Sequence, residues 1–241
     1  MRILVVAAHP DDEVIGMGGT LKKLSKKHSI DVLFMADGIT ARKRPGYGNS
    51  VRYDAGGAAE KAMAREIEER KKDAKRALKR LGVSSMKFLG MPDNEMDTVP
   101  FLKIVKEVEA EVARTKCDTI FTHHHGDLNI DHRLSYEAAV TAARPMEGSG
   151  VNLLASFEVF SATDWRHLHS FRPSMFVDIT SEMPYKASAL GEYRNEVRKY
   201  PHPRSKRALE ASAGRWGSLY GYGYAEAFEI VYVRGGRFPL V

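Results

Sequence analysis

"RILVVAAHPDDEVIGMGGT" (residues 2–20) decides the fold, because an unbroken apolar run in it meets an acid cluster without a spacer. Residues 3–8 read as a buried strand, and a helical spacing takes over near residue 15. The strand ends on one imidazole and three carboxylates, His9, Asp11, Asp12 and Glu13. Like charges so close together repel one another and are costly in a poorly solvated cleft. Either they face water or something positive sits among them.

Outward from this stretch, short runs rich in Val, Ile and Phe recur at 30–36, 86–89, 119–122, 155–160, 176–179 and 228–233, with helical patterns near 15–27, 60–81, 99–115 and 132–143. The alternation predicts an α/β fold with a mostly parallel sheet and helices on both faces. At 241 residues it is expected to be a single domain, 1–241. Residues 38–60, rich in Gly and Pro, read as a long loop beside a binding site. The aromatic, glycine-rich tail after Tyr200 is expected to fold over the carboxyl edge of the sheet before a last strand.

Composition narrows the function classes. No apolar run approaches the roughly 20 residues of a membrane span, and the first strand is too short and too quickly acidic for a signal peptide, so a soluble, cytoplasmic protein is expected. The one cysteine, Cys117, excludes an intrachain disulfide and a cysteine-rich zinc site, leaving His and carboxylate to hold any metal. The net charge is +6 and the pI about 9.3. Most of the basic residues coat helices, as in "MAREIEERKKDAKRALKRLG" (63–82), so no nucleic-acid partner is expected.

In open α/β sheets ligands bind beyond the carboxyl ends of the strands. Two polar clusters fall there: the first acid cluster, and "THHHGDLNIDHR" (122–133) after the run at 119–122. His9 and Asp12 lie three residues apart with Pro10 fixing φ between them, so they can aim at one spot. Zn²⁺ takes such donors at about 2.0–2.2 Å, typically three per catalytic site, and His132 is the natural third. Asp11 is then free to take a proton from a water that the cation acidifies, which is the chemistry of metal-assisted acyl hydrolysis. "PDDE" also suits a plain helix start, and His123 to His125 suit a solvated loop. Gly16, Gly18 and Gly19 admit an alternative of another class, a nucleotide-sugar binding protein, although they follow the acid cluster where helix packing also explains them.

"AHPDDE" (8–13) and "GDLNIDHR" (126–133) together resemble the PIG-L/LmbE-like family of zinc-dependent N-acetylglucosaminyl deacetylases. Further agreement lies in "RKKDAKRALKRLGV" (70–83), "FLGMPDNE" (88–95) and "HPRSKRALEASAGRWGSLYGYGYAEAFEI" (202–230). The resemblance implies a Rossmann-like three-layer fold, removal of an N-acetyl group from an amino sugar, and a homo-oligomer. It makes His9, Asp12 and His132 the zinc ligands and Asp11 the general base, with Glu13 supporting them and Asp131 orienting a neighbouring catalytic group. The same donors could hold another divalent transition metal. Where many members read His-Pro-Asp-His, this chain has Asn129-Ile130-Asp131-His132. Asn129 is thus a candidate hydrogen-bond donor to the oxyanion. His202 is the candidate for the displaced His role, with His124 in reserve. Arg70 and Asp93 resemble sugar-site positions, and Arg42 in the long loop joins them as a substrate-binding candidate.

Overall fold

In the computed structural model, which describes residues 1–43, 56–167 and 170–234, the opening apolar run forms strand β1 (Arg2–Ala7) and turns into helix α1 (Asp12–Leu24). Strand β2 (Ser29–Ala36), helix α2 (Gly56–Leu81), strand β3 (Ser85–Met91), helix α3 (Phe101–Thr115) and strand β4 (Thr119–His123) continue the alternation. Helix α4 (Ile130–Ala142), strand β5 (Leu153–Phe157), the short helix α5 (Phe160–Thr163), strand β6 (Met175–Asp178), helices α6 (Met183–Leu190) and α7 (Lys206–Tyr220) and strand β7 (Ala225–Val233) complete the described chain.

The seven strands form one sheet in the order β3-β2-β1-β4-β5-β7-β6. β1 to β5 pair in parallel, whereas β7 runs antiparallel to both β5 and β6. The chain winds from β1 outward through β2 and β3, then crosses back to lay β4 on the other side of β1. The order therefore reverses between β1 and β4, and their carboxyl ends bound a crevice.

Alternate strand residues feed two cores. Ile3, Val5, Val32, Phe34 and Phe157 pack with Leu21, Leu78, Leu190 and Leu209, from α1, α2, α6 and α7. Leu4, Val6, Leu33 and Leu154 pack with Ile104, Val108 and Ala139, from α3 and α4. Helices thus cover both faces, giving the expected three layers. Gly16 belongs to this packing: a Cβ there would lie 2.2 Å from the Phe157 ring.

Two details differ from the sequence reading, which leaves a third, the direction of the last strand, open. α2 begins at Gly56, inside the stretch read as loop, and Thr40–Lys43 form a 3₁₀ turn; residues 44–55 and the Arg42 side chain lie outside the described residues. The tail contains a full helix, α7, whose start is fixed by Ser205 Oγ accepting the Ala208 N–H at 3.1 Å and whose end is the left-handed Gly221. The final strand enters against the parallel direction. Among the described residues, no helix is long and apolar enough to cross a membrane.

Candidate metal centre and active site

The turn after β1 shows what the carboxylates do. Asp12 Oδ2 accepts the His9 N–H at 2.8 Å, and Glu13 Oε2 accepts the Asp11 N–H at 3.0 Å. Asp11, at the N-cap of α1, makes no side-chain capping bond and holds φ at 123°. A non-glycine residue there costs on the order of 1–3 kcal/mol, so the surrounding contacts hold it in place. Plain helix capping does not account for this cluster. At α4, by contrast, the cap is Asn129, whose Oδ1 accepts the Asp131 N–H at 2.8 Å, leaving the Asp131 carboxylate for other work.

His9 Nδ1 and His132 Nε2 each lie 3.2 Å from Asp12 Oδ2, and all three residues are buried. The outer nitrogen of each imidazole faces acid. His9 Nε2 lies 2.9 Å from Asp131 Oδ2 and 3.1 Å from Asp93 Oδ1, and His132 Nδ1 lies 3.1 Å from Asp127 Oδ2. Asp131 is itself fixed by the N–H groups of Asn94 and Met96, at 2.6 and 3.1 Å, and Asp127 by the Thr163 hydroxyl at 2.6 Å. Carboxylates so placed orient imidazoles with their other nitrogens aimed inward. His123 stands close, 3.6 Å from Asp12, but its Nε2 accepts the Ala8 N–H at 2.8 Å and is not free to ligate.

The electrostatics fit a cation at this point. Seven of the buried carboxyl groups, those of Asp11, Asp12, Glu13, Asp93, Asp127, Asp131 and Glu196, gather here with the guanidiniums of Arg70 and Arg204. Asp12 Oδ1 is buried with no hydrogen-bond partner. Burial acts against the charge on Asp12, yet His132 and His9 outweigh it and hold Asp12 well below the usual carboxylate range. Burial likewise lowers His132, but Asp12 and Asp127 prevail and lift it to about 9. The cluster thus draws protons onto its imidazoles to balance its acids. A divalent ion held among His9 Nδ1, Asp12 and His132 Nε2 would supply that balance instead.

Asp11 lies beside this point. Its pKa is raised to about 6: burial is the largest cause, Arg204, with Nη1 3.6 Å from Asp11 Oδ2, works against it, Asp12 adds to it, and Arg70, with Nη1 3.9 Å away, also lowers it. Arg70 is buried, donates to the Pro10 carbonyl at 3.1 Å and pairs with Glu196, which also accepts from Arg204 Nη1 at 2.6 Å. Glu13, pushed up to about 8 by burial, accepts the Tyr193 hydroxyl at 2.5 Å.

His9, Asp11, Arg70, Asp93, Asn129 and Arg204 share one cleft. Asn129 Nδ2 there donates to Asn94 Oδ1 at 2.8 Å. Two candidates are not brought to it. His202 is exposed, and its Nδ1 accepts the Arg204 N–H at 3.0 Å; the side chain that enters the cleft from this segment is Arg204. His124 points to Glu229 at 2.6 Å and packs on Phe171. Arg204, Asp127, Glu196 and Asn94 carry parts of the site that the motif reading left without a role. Asp127, five residues before His132, was visible in the same cluster.

Residues 4–143, which hold both clusters, match the PIG-L family, GlcNAc-PI de-N-acetylase. The chain is 26% identical over 238 residues to diacetylchitobiose deacetylase of Thermococcus kodakarensis, covering 95% of this chain and 83% of that protein. To the probable N-acetyl-alpha-D-glucosaminyl L-malate deacetylase 2 of Bacillus cereus it is 25% identical over 198 residues, 81% of this chain and 84% of the relative. The conserved protein TT1542 of Thermus thermophilus has the same fold, with a TM-score of 0.72 at 25% identity over 100% of this chain and 99% of that one. With both clusters inside the matched region and converging at the β1/β4 crevice, the chain belongs to the PIG-L family.

Proposed function

We propose that the protein is a zinc-dependent N-deacetylase that hydrolyses the acetamide of an N-acetylglucosamine-type sugar. The observation that carries this reading is the convergence of His9 Nδ1, Asp12 Oδ2 and His132 Nε2 beside Asp11, in a chain of the PIG-L family. The relatives named for deacetylation of amino sugars support the substrate class. The single sheet carrying all seven strands supports reading 1–241 as one domain.

His9, Asp12 and His132 would hold the metal. When bound it supplies a positive charge that acidifies a water and polarises the acetamide carbonyl. Asp11 accepts the proton of the attacking water, kept in position by Arg70, Arg204 and the Glu13 bond to its backbone N–H. As the C–N bond breaks, Asp11 returns that proton to the amine nitrogen, so acetate and a free amino sugar leave. Asn129 Nδ2, at the rim of the cleft, is the neutral donor placed for the oxyanion. Arg70, Asp93 and Arg204 face the space where the sugar hydroxyls would lie.

Acetate release from N,N'-diacetylchitobiose by the zinc-loaded protein tests this reading. Asp11→Asn should keep its zinc and lose about 10²–10⁴-fold in turnover. Full activity in that variant removes Asp11 from the mechanism, and no release from any N-acetylglucosamine substrate by folded, zinc-loaded protein overturns the function.

A further inference from the structure

Away from the cleft, the residues that follow β4 meet the last strand in a second cluster. One nitrogen each of His124 and His125 and one oxygen of Glu229 lie within 4.8 Å of one another. His124 Nδ1 is 2.6 Å from Glu229 Oε2, and the two imidazole rings stand 4.3 Å apart between centroids at 61°. None of the three lines the cleft of His9 and Asp11.

Glu229 is held in place, since Oε1 accepts the Arg172 N–H and Oε2 lies 3.4 Å from the Ser156 hydroxyl. His124 is fully buried, and its Nε2 has no hydrogen-bond partner. The bond to Glu229 therefore satisfies only half of this ring, and an unsatisfied buried nitrogen costs about 1–3 kcal/mol. His125 is exposed and Glu229 half-buried, which leaves a route in from solvent. Two imidazoles and one carboxylate match a borderline divalent metal such as Zn²⁺, Co²⁺ or Ni²⁺. Mg²⁺ and Ca²⁺ prefer oxygen ligands.

We infer that His124, His125 and Glu229 form a second divalent transition-metal site, separate from the one at His9, Asp12 and His132. An ion there ties the segment after β4 to β7. That segment leads within three residues to Asp127, which faces His132, so the second site braces the loop that shapes the first. This inference stands independently of the deacetylase reading.

Co²⁺ titration of the full-length chain, followed by visible absorption and calorimetry, tests it, with circular dichroism checking that each variant folds. Wild type should bind two Co²⁺ per chain and His132→Ala one. Adding His125→Ala to His132→Ala should weaken the remaining site by at least about 10-fold. Folded His132→Ala that binds no Co²⁺, or a double variant that binds as tightly as His132→Ala, overturns the second site. Should His132→Ala fail to fold, wild type is compared with His125→Ala alone. Two ions against one then supports the site, and two ions in both overturns it.

Discussion

Asp127 illustrates how the site is built one residue at a time. Its carboxylate sits between the Thr163 hydroxyl, at 2.6 Å, and His132 Nδ1, at 3.1 Å, and its other oxygen accepts the Asn129 N–H at 2.8 Å. Such a carboxylate fixes both the tautomer and the angle of the imidazole that ligates. Asp127→Asn should lower the affinity for a divalent metal by about 10–100-fold, measured by competition against a chelator. Unchanged affinity would mean that His132 needs no such support. At this scale the sequence was informative where chemistry demands residue types at fixed spacing, as with His9, Asp12 and His132. It was less so where the path of a loop decides: His202 and Arg204 are two residues apart in "HPRS", and only the folded turn shows that Arg204 enters the cleft while His202 faces solvent.

At the scale of elements, the tight seat of α1 on β5 explains why glycine stands at position 16. A Cβ there would meet the Phe157 ring at 2.2 Å, so Gly16→Ala should destabilise by about 1–3 kcal/mol, read from the urea midpoint. A wild-type midpoint would show that the helix has room to move. The tie between α3 and β3 gives a pH signature. Burial alone would raise Glu111, but Lys87 and Arg114, each 2.8 Å away, outweigh it and hold its pKa below the ordinary value. A carboxyl depressed in the folded state stabilises fully above its unfolded value and loses that contribution as pH falls through the folded one. Denaturant midpoints of the parent should therefore fall faster on acidification over that window than those of Glu111→Gln; parallel curves would contradict the tie. The elements best read from sequence, β1 with α1 and β4 with α4, have pure apolar runs and sharp polar ends. α7 escaped because aromatics and Gly214 and Gly217 blur its spacing, although Gly217 lets its backbone approach Tyr222. The direction of β7 is set by tertiary pairing with β5 and β6, which no local pattern encodes.

For the whole molecule, the reversal of strand order between β1 and β4 brings residues more than a hundred positions apart to one crevice. The fold gathers Asp11, Asp12, Asp93, Asp127, Asp131 and Glu196 there with the guanidiniums of Arg70 and Arg204, so a bound cation would take part in the charge balance as well as in the chemistry. The most direct test of that claim pairs metal content with acetate release from N,N'-diacetylchitobiose, measured on wild type and on His132→Ala. His132→Ala should lose one equivalent of bound metal and, with it, acetate release. A folded His132→Ala protein that keeps its full metal content and its activity would contradict it.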